Sequence, residues 1–260
     1  MKLRKKNLLL LINLTLVAIV YYLYLCPENP NASAKNVTAL TDDEVETYSG
    51  IEDLDDSDGT ILIDVPLENQ FTDSALGNGC EVTALSMLLN TYDYQVDKNQ
   101  LADQLTYEPL ITASGNYGNP HEGFVGNIYG GTQAMGVAVE PIAELAEEFV
   151  DESQYQVISS SEADVIDILA VVAGGDPVWT IVTADLVVPT ADDFRTWETD
   201  EGTFTVSPLI HSVVITGYDE SAEVVYLNDP FGYKNRVVSY DNFATIYEAM
   251  GSQSLYLEAA

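Results

Sequence analysis

One cysteine stands apart in this chain. Cys80 lies in Asn78-Gly79-Cys80-Glu81-Val82-Thr83-Ala84-Leu85-Ser86-Met87-Leu88-Leu89-Asn90, where a glycine-bearing turn runs into an apolar-periodic helix. A helix N-terminus presents unpaired backbone N–H groups and the positive end of the helix dipole. A thiol at that junction is expected to have a lowered pKa and to serve as a nucleophile. The competing reading is a small packed core residue, because free cysteine is among the most buried types. Of the two histidines, His121 lies in a glycine-rich loop and carries no catalytic signal. His211 lies in the apolar run Leu209-Ile210-His211-Ser212-Val213-Val214-Ile215-Thr216-Gly217, and a second run ends in Tyr226-Leu227-Asn228-Asp229-Pro230. Pro230 would stop that strand and hold Asp229 at its tip. A carboxylate there can accept a hydrogen bond from His211 Nδ1–H, fix the tautomer and stabilise an imidazolium. Cysteine, histidine and carboxylate together are the parts for nucleophilic attack on a carbonyl.

These residues need elements to hold them. Ile61 to Pro66 reads as a short strand, and the Cys80 helix buries Val82, Leu85, Leu88 and Leu89. Asp97 caps a second helix through Leu105. Residues 113–131 form a long Gly/Asn-rich loop, either a groove wall or a plain surface loop. It lacks the lysine and following helix of a phosphate cradle. Pro141 to Val150 and Ser161 to Ala173 read as helices, the second capped by Ser161 with Asp164 and ended by Gly174. Val178 to Val182 reads as a strand, followed by an acidic insertion around 191–202. Strands are then expected at Leu209–Gly217, Val224–Asn228, Arg236–Ser239 and Ser254–Glu258, with a helix near Asp241–Met250. Helices first and an antiparallel sheet later point to an α+β fold. With the cysteine early, the histidine about 130 residues on and an Asn/Asp after it, the order suits a papain-like arrangement.

The charge is extreme. The formal net charge is −33, with 42 acidic residues against nine basic ones. Four of the nine (Lys2, Arg4, Lys5, Lys6) precede an apolar stretch, Asn7 to Leu25. Beyond Cys26 only Lys35, Lys98, Arg195, Lys234 and Arg236 offset the acids, so the surface repels nucleic acid and anionic headgroups. The acids are spread along the chain, which favours a general solubility role over attraction of a cationic substrate. Residues 1–26 have the length and flanking charge of a signal peptide or uncleaved signal anchor, and they place the rest of the chain outside the cytoplasm. Residues 27–60 read as an acidic, solvated linker, and 61–260 as one folded domain. Cysteine and histidine are too few for a metal site, and no cofactor motif is present.

Several segments together resemble a known family. They are Ile63-Asp64-Val65-Pro66-Leu67-Glu68-Asn69-Gln70, Asn78-Gly79-Cys80-Glu81-Val82-Thr83, Gly118-Asn119-Pro120 with Gly123-Phe124-Val125-Gly126-Asn127, His211 through Asp219, and Asn228-Asp229-Pro230. They resemble the stand-alone, exported relatives of the double-glycine, bacteriocin-processing cysteine peptidases of the papain-like clan. The resemblance implies a fold with a helical part carrying the cysteine and an antiparallel sheet carrying the histidine. It implies Cys80 as nucleophile, His211 as general acid/base, Asp229 as its orienting partner and Gln70 as an oxyanion-hole donor. The expected activity is hydrolysis of peptide bonds in a peptide or protein substrate. A cell-wall peptide amidase and a non-enzymatic peptide-binding module are the alternatives. Two features depart from the pattern: Glu81 stands where transporter-linked members usually have glycine right after the cysteine, and Thr72 to Gly77 lengthen the Gln70–Cys80 spacing. The double-glycine leader specificity is therefore not carried over.

Overall fold

The computed structural model describes residues 59–260. The expected N-terminal apolar segment and all but the end of the linker lie outside the described residues. No helix among the described residues is long and apolar enough to cross a membrane. In chain order the elements are β1 (Thr60–Leu62), α1 (Cys80–Thr91), α2 (Lys98–Gln104), β2 (Tyr107–Glu108), β3 (Phe124–Gly126), β4 (Ala134–Gly136), α3 (Val139–Glu147) and β5 (Tyr155–Ser160). They continue with α4 (Val165–Ala173), β6 (Val178–Thr183), β7 (Arg195–Glu198), β8 (Thr203–Val206), β9 (Ile210–Asp219), β10 (Val224–Asp229), β11 (Tyr233–Ser239), α5 (Tyr240–Ala249) and β12 (Ser254–Ala259). The architecture is mixed helix and sheet.

The main sheet has seven strands in the order β11-β10-β9-β6-β12-β5, with β1 also paired to β9. Its pairings are antiparallel. β9 is the hub. β6 pairs its first half, with Ile215 opposite Val178, and β1 takes over where β6 stops, with Gly217 opposite Leu62. A Cβ on Gly217 would sit 2.0 Å from the Ile61 carbonyl oxygen, so glycine is what lets β1 dock. β1 is shorter than the sequence suggests. It spans three residues, and Ile63 N–H still donates to the Thr216 carbonyl, but Asp64 to Pro66 leave the ladder.

Helix α1 packs against β9 and is enclosed on every side. Ten consecutive residues, Cys80 to Leu89, are buried. The expected apolar face was only part of this, because Glu81, Thr83 and Ser86 are buried as well. A helix buried all round belongs to the centre of a core. Its polar groups are satisfied locally: Thr83 Oγ1 donates to the Gly79 carbonyl at 2.7 Å, and the Trp179 indole of β6 donates to the Glu81 carbonyl at 3.0 Å. α2 begins as expected at Asp97, whose side chain accepts from Asn99 and Gln100 N–H while Gln100 closes a capping box.

Three expectations are corrected. The 113–131 loop contains β3, which joins β2 and β4 in a three-stranded sheet. The acidic insertion contains the β7–β8 hairpin, whose Trp197 stacks on Tyr117 at 3.9 Å and donates to the Gly118 carbonyl. The helix expected from Ser161 starts at Val165 with Asp164 as N-cap, and neither Ser161 nor Asp164 makes a capping hydrogen bond. Residues just before it form β5, at the sheet edge.

An ion pair between a buried lysine and a half-buried glutamate fixes the segment that leads to the cysteine. Lys98 is 1 % exposed, and its Nζ lies 3.3 Å from Glu68 Oε1. Glu68 also accepts from Lys98 N–H and from Ser86 Oγ, tying the strand-to-helix segment to both α1 and α2. Removing one partner of such a pair leaves an uncompensated charge in a poorly solvated place. Lys98→Ala is expected to lower unfolding free energy by about 3 kcal/mol in urea titration, and Lys98→Met with Glu68→Gln to recover most of it. A single Lys98→Ala substitution that leaves the urea midpoint unchanged would contradict this role.

Candidate active site

A cleft of about 160 Å³ opens between the start of α1 and β9. Gln70, Cys80, Glu81, His211 and Phe231 line it, and the strand end at Asp229 stands behind His211. The larger hollow of about 470 Å³, between α4 and the far end of β9, shares none of these residues.

Cys80 is the first residue of α1, with Gly79 as N-cap. Gly79 makes no side-chain cap, and the first helix-type bond runs from Thr83 N–H to its carbonyl. The N–H of Cys80 therefore lies among the unpaired donors of the first turn. The sulfur is buried, 7 % exposed for the residue. Its hydrogen-bond partner is Glu81 Oε2 at 3.2 Å. The lowered thiol pKa expected from the helix terminus is corrected. Burial pushes the Cys80 thiol up, the Glu81 charge adds to that, and N–H groups of Ser212 and Cys80 itself offset only part.

His211 is 2 % exposed and Asp229 fully buried. His211 Nε2 lies 2.8 Å from Asp229 Oδ1. The expectation of an Nδ1 contact is corrected, for a geometric reason. Asn228 pairs with Val214, so Asp229 continues opposite Val213, and His211 is its diagonal neighbour on the same face. Diagonal neighbours are about 7–8 Å apart, and the far ring nitrogen is the one that spans the gap. Phe231 packs on the imidazole with ring centroids 4.3 Å apart.

Asp229 ends β10, as expected, and gathers three donors. Besides His211, Phe231 N–H reaches Oδ1 at 2.9 Å and Arg236 Nη1 reaches Oδ2 at 2.6 Å. Burial alone would raise its pKa, but these partners outweigh burial and hold the carboxyl below its ordinary value. Arg236 also donates to the Asp185 carbonyl and lies over the Tyr233 ring.

Gln70 is 1 % exposed, and its N–H donates to the Pro230 carbonyl, which docks it beside the Asp229 turn. Its side-chain Nε2 donates to the carbonyls of Leu76 and Gly77, both at 3.1 Å. Its Oε1 has no hydrogen-bond partner among the described residues. The longer Gln70–Cys80 spacing is thus folded into a loop pinned by Gln70 itself. His121, given no role from sequence, pairs with Glu140 away from the cleft lining.

Three contributors escaped the sequence reading. Arg236 is one of only five basic residues beyond Cys26, and that scarcity was its signal. Phe231, after the Asp-Pro pair, carried none. Glu81 was noted only as a departure from glycine, yet its carboxyl lies beside the sulfur.

The profile of the Peptidase_C39 like family matches residues 62–255. The uncharacterized protein YvpB of Bacillus subtilis strain 168 is 40 % identical over 196 residues, covering 75 % of each chain. The crystal structure of a Bacillus anthracis protein assigned as a C39-like peptidase superposes with a TM-score of 0.71 at 32 % identity, covering 77 % of this chain and 98 % of that one. With a buried cysteine at a helix start, a strand histidine on a buried aspartate and these matches over three quarters of its length, the chain belongs to the Peptidase_C39 like family.

Proposed function

We propose that the protein is a thiol hydrolase that cleaves peptide bonds with Cys80, His211 and Asp229. The observation that carries this reading is the His211–Asp229 hydrogen bond of 2.8 Å, held by Arg236 behind a cleft that also contains Cys80 at the head of α1. A packed core cysteine would need no buried, oriented imidazole beside it.

The chemistry runs in two halves. Cys80 passes its proton to His211, and the thiolate attacks the amide carbon, forming a tetrahedral oxyanion. His211 then protonates the leaving amine, and a thioester remains on Cys80. Water attacks the thioester with His211 as base, releasing the acid and restoring the thiol. Asp229 holds the imidazole through Nε2 and stabilises the imidazolium formed on the way. The N–H of Cys80 supplies one donor to the oxyanion. Gln70 supplies the second when substrate draws one Nε2 hydrogen from a loop carbonyl; each such donor is typically worth about 3 kcal/mol. The basic flank before the apolar stretch of residues 1–26 supports an extracytoplasmic site, anchored to the membrane or released by cleavage.

Two predictions follow from this arrangement. Cys80→Ala is expected to lower peptide turnover on the order of 10⁴-fold or more, while the unfolding free energy from urea titration stays within about 1 kcal/mol of wild type. Peptide cleavage that survives the substitution would refute the nucleophile. Because the folded pKa of Asp229 lies below its unfolded value, its contribution to stability is present above the unfolded pKa. That contribution is lost as pH falls through the folded pKa. Asp229→Asn is therefore expected to flatten the acid limb of stability against pH, measured by urea titration below pH about 5. An acid limb identical to wild type would show that the carboxylate is not held in this way.

A further inference from the structure

Glu81 is a carboxyl placed inside the catalytic cleft with 1 % of its surface exposed. The fold makes room for it. Gly136, at φ +94°, passes so close that a Cβ there would lie 2.5 Å from Glu81 Oε1. Oε1 accepts from Val137 N–H at 3.3 Å, and Oε2 accepts from Cys80 Sγ at 3.2 Å. The Trp179 indole pins the Glu81 backbone carbonyl. The carboxyl is thus held on the sulfur by Cys80 of α1 and Val137 at the β4–α3 junction, while β6 fixes the backbone that carries it.

The titratable groups facing it are few. Cys80 lies on its own helix, His211 comes from β9, and Tyr107 of β2 feels its charge. None of the Lys and Arg ion pairs among the described residues involves Glu81. Two acids this close in a dry site do not both ionise readily, and burial raises both. A buried carboxyl whose only side-chain donor among the described residues is a thiol stays there at a cost, which points to a role at the sulfur.

We propose that Glu81 is a positioning residue that gates the nucleophile: as a carboxylate it holds the Cys80 thiol protonated, and Cys80 is armed only while Glu81 carries its own proton. The proposal rests on Cys80 being the nucleophile. In the gated state the thiol proton lies in the Sγ–H···Oε2 bond. In the armed state Glu81 is neutral, the thiol proton passes to His211, and the site carries one thiolate and one imidazolium. Raising pH removes the Glu81 proton and returns the thiol to the gated state. Hydrolysis is then favoured on the acid side.

The test is a pH titration of the thiolate by its ultraviolet absorbance in the full chain, with Cys80→Ala as the baseline. Glu81→Gln keeps the shape and removes the charge. It is expected to lower the thiolate midpoint by about one to three pH units, and alkylation by iodoacetamide at neutral pH is expected to rise at least about tenfold with it. The pH profile of peptide cleavage should extend to higher pH in the same variant. A midpoint that is unchanged or raised overturns the gate. If Glu81→Gln fails to fold, Glu81→Asp draws the carboxylate back by one methylene and should shift the midpoint the same way by less; no shift there overturns it equally. A midpoint shift without any wild-type peptide cleavage would sink the peptidase reading and leave the Cys80–Glu81 pairing standing. Cleavage dependent on Cys80 with no shift would do the reverse.

Discussion

A carboxylate with no solvent exposure has to be held by donors, and Asp229 is the point on which this site depends. Burying an ionised carboxyl without partners is costly enough that it would protonate instead. His211, Phe231 N–H and Arg236 supply the donors, and each comes from a different part of the β9–β10–β11 corner. That requirement sets the turn from Asp229 to Gly232, the register of β9 against β10 and the position of Arg236 on β11. The Gln70 loop is fastened to the same turn through the Pro230 carbonyl. The orientation of the histidine, the placement of the glutamine and the course of the chain around the cleft all follow from one buried charge.

The opposite wall of the cleft obeys another constraint. α1 is surrounded by core, so its polar residues have no water to turn to. Glu68 and Lys98 solve this for Ser86, and Trp179 solves it for the first-turn carbonyl of Glu81. Cys80 is therefore presented by a buried helix on one side, and the imidazole by a central strand on the other. A site built between such elements keeps its geometry better than one carried on loops. Burial and the neighbouring carboxyl nonetheless push the Cys80 thiol up, against the pull of the helix terminus.

Much of this was legible in the sequence where local chemistry decides structure. Asp97 announced α2 as its cap, Gly174 stood at the end of α4, and Pro230 closed β10. The long apolar runs gave β6, β9 and β10 nearly to the residue. Elements held by distant partners were not legible. β5, Tyr155–Ser160, is an edge strand of mixed polarity whose partner β12 lies far along the chain. The β7–β8 hairpin is written in acidic and polar residues and depends on Trp197 meeting Tyr117 and Gly118. In the site, the residue types were readable but their contacts were not. Which ring nitrogen meets Asp229 depends on the strand register, and the partners of the Gln70 amide depend on how the intervening loop folds. Glu81 read only as a departure from glycine because nothing local said that α1 has no solvent face.

The most direct measurement is mass spectrometry of the protein quenched in acid during turnover of a peptide substrate. Cys80 as nucleophile predicts an acyl adduct on the Cys80-containing fragment that appears early, decays as substrate is consumed and is absent in Cys80→Ala. Turnover with no adduct at Cys80, or an adduct on another residue, would contradict it.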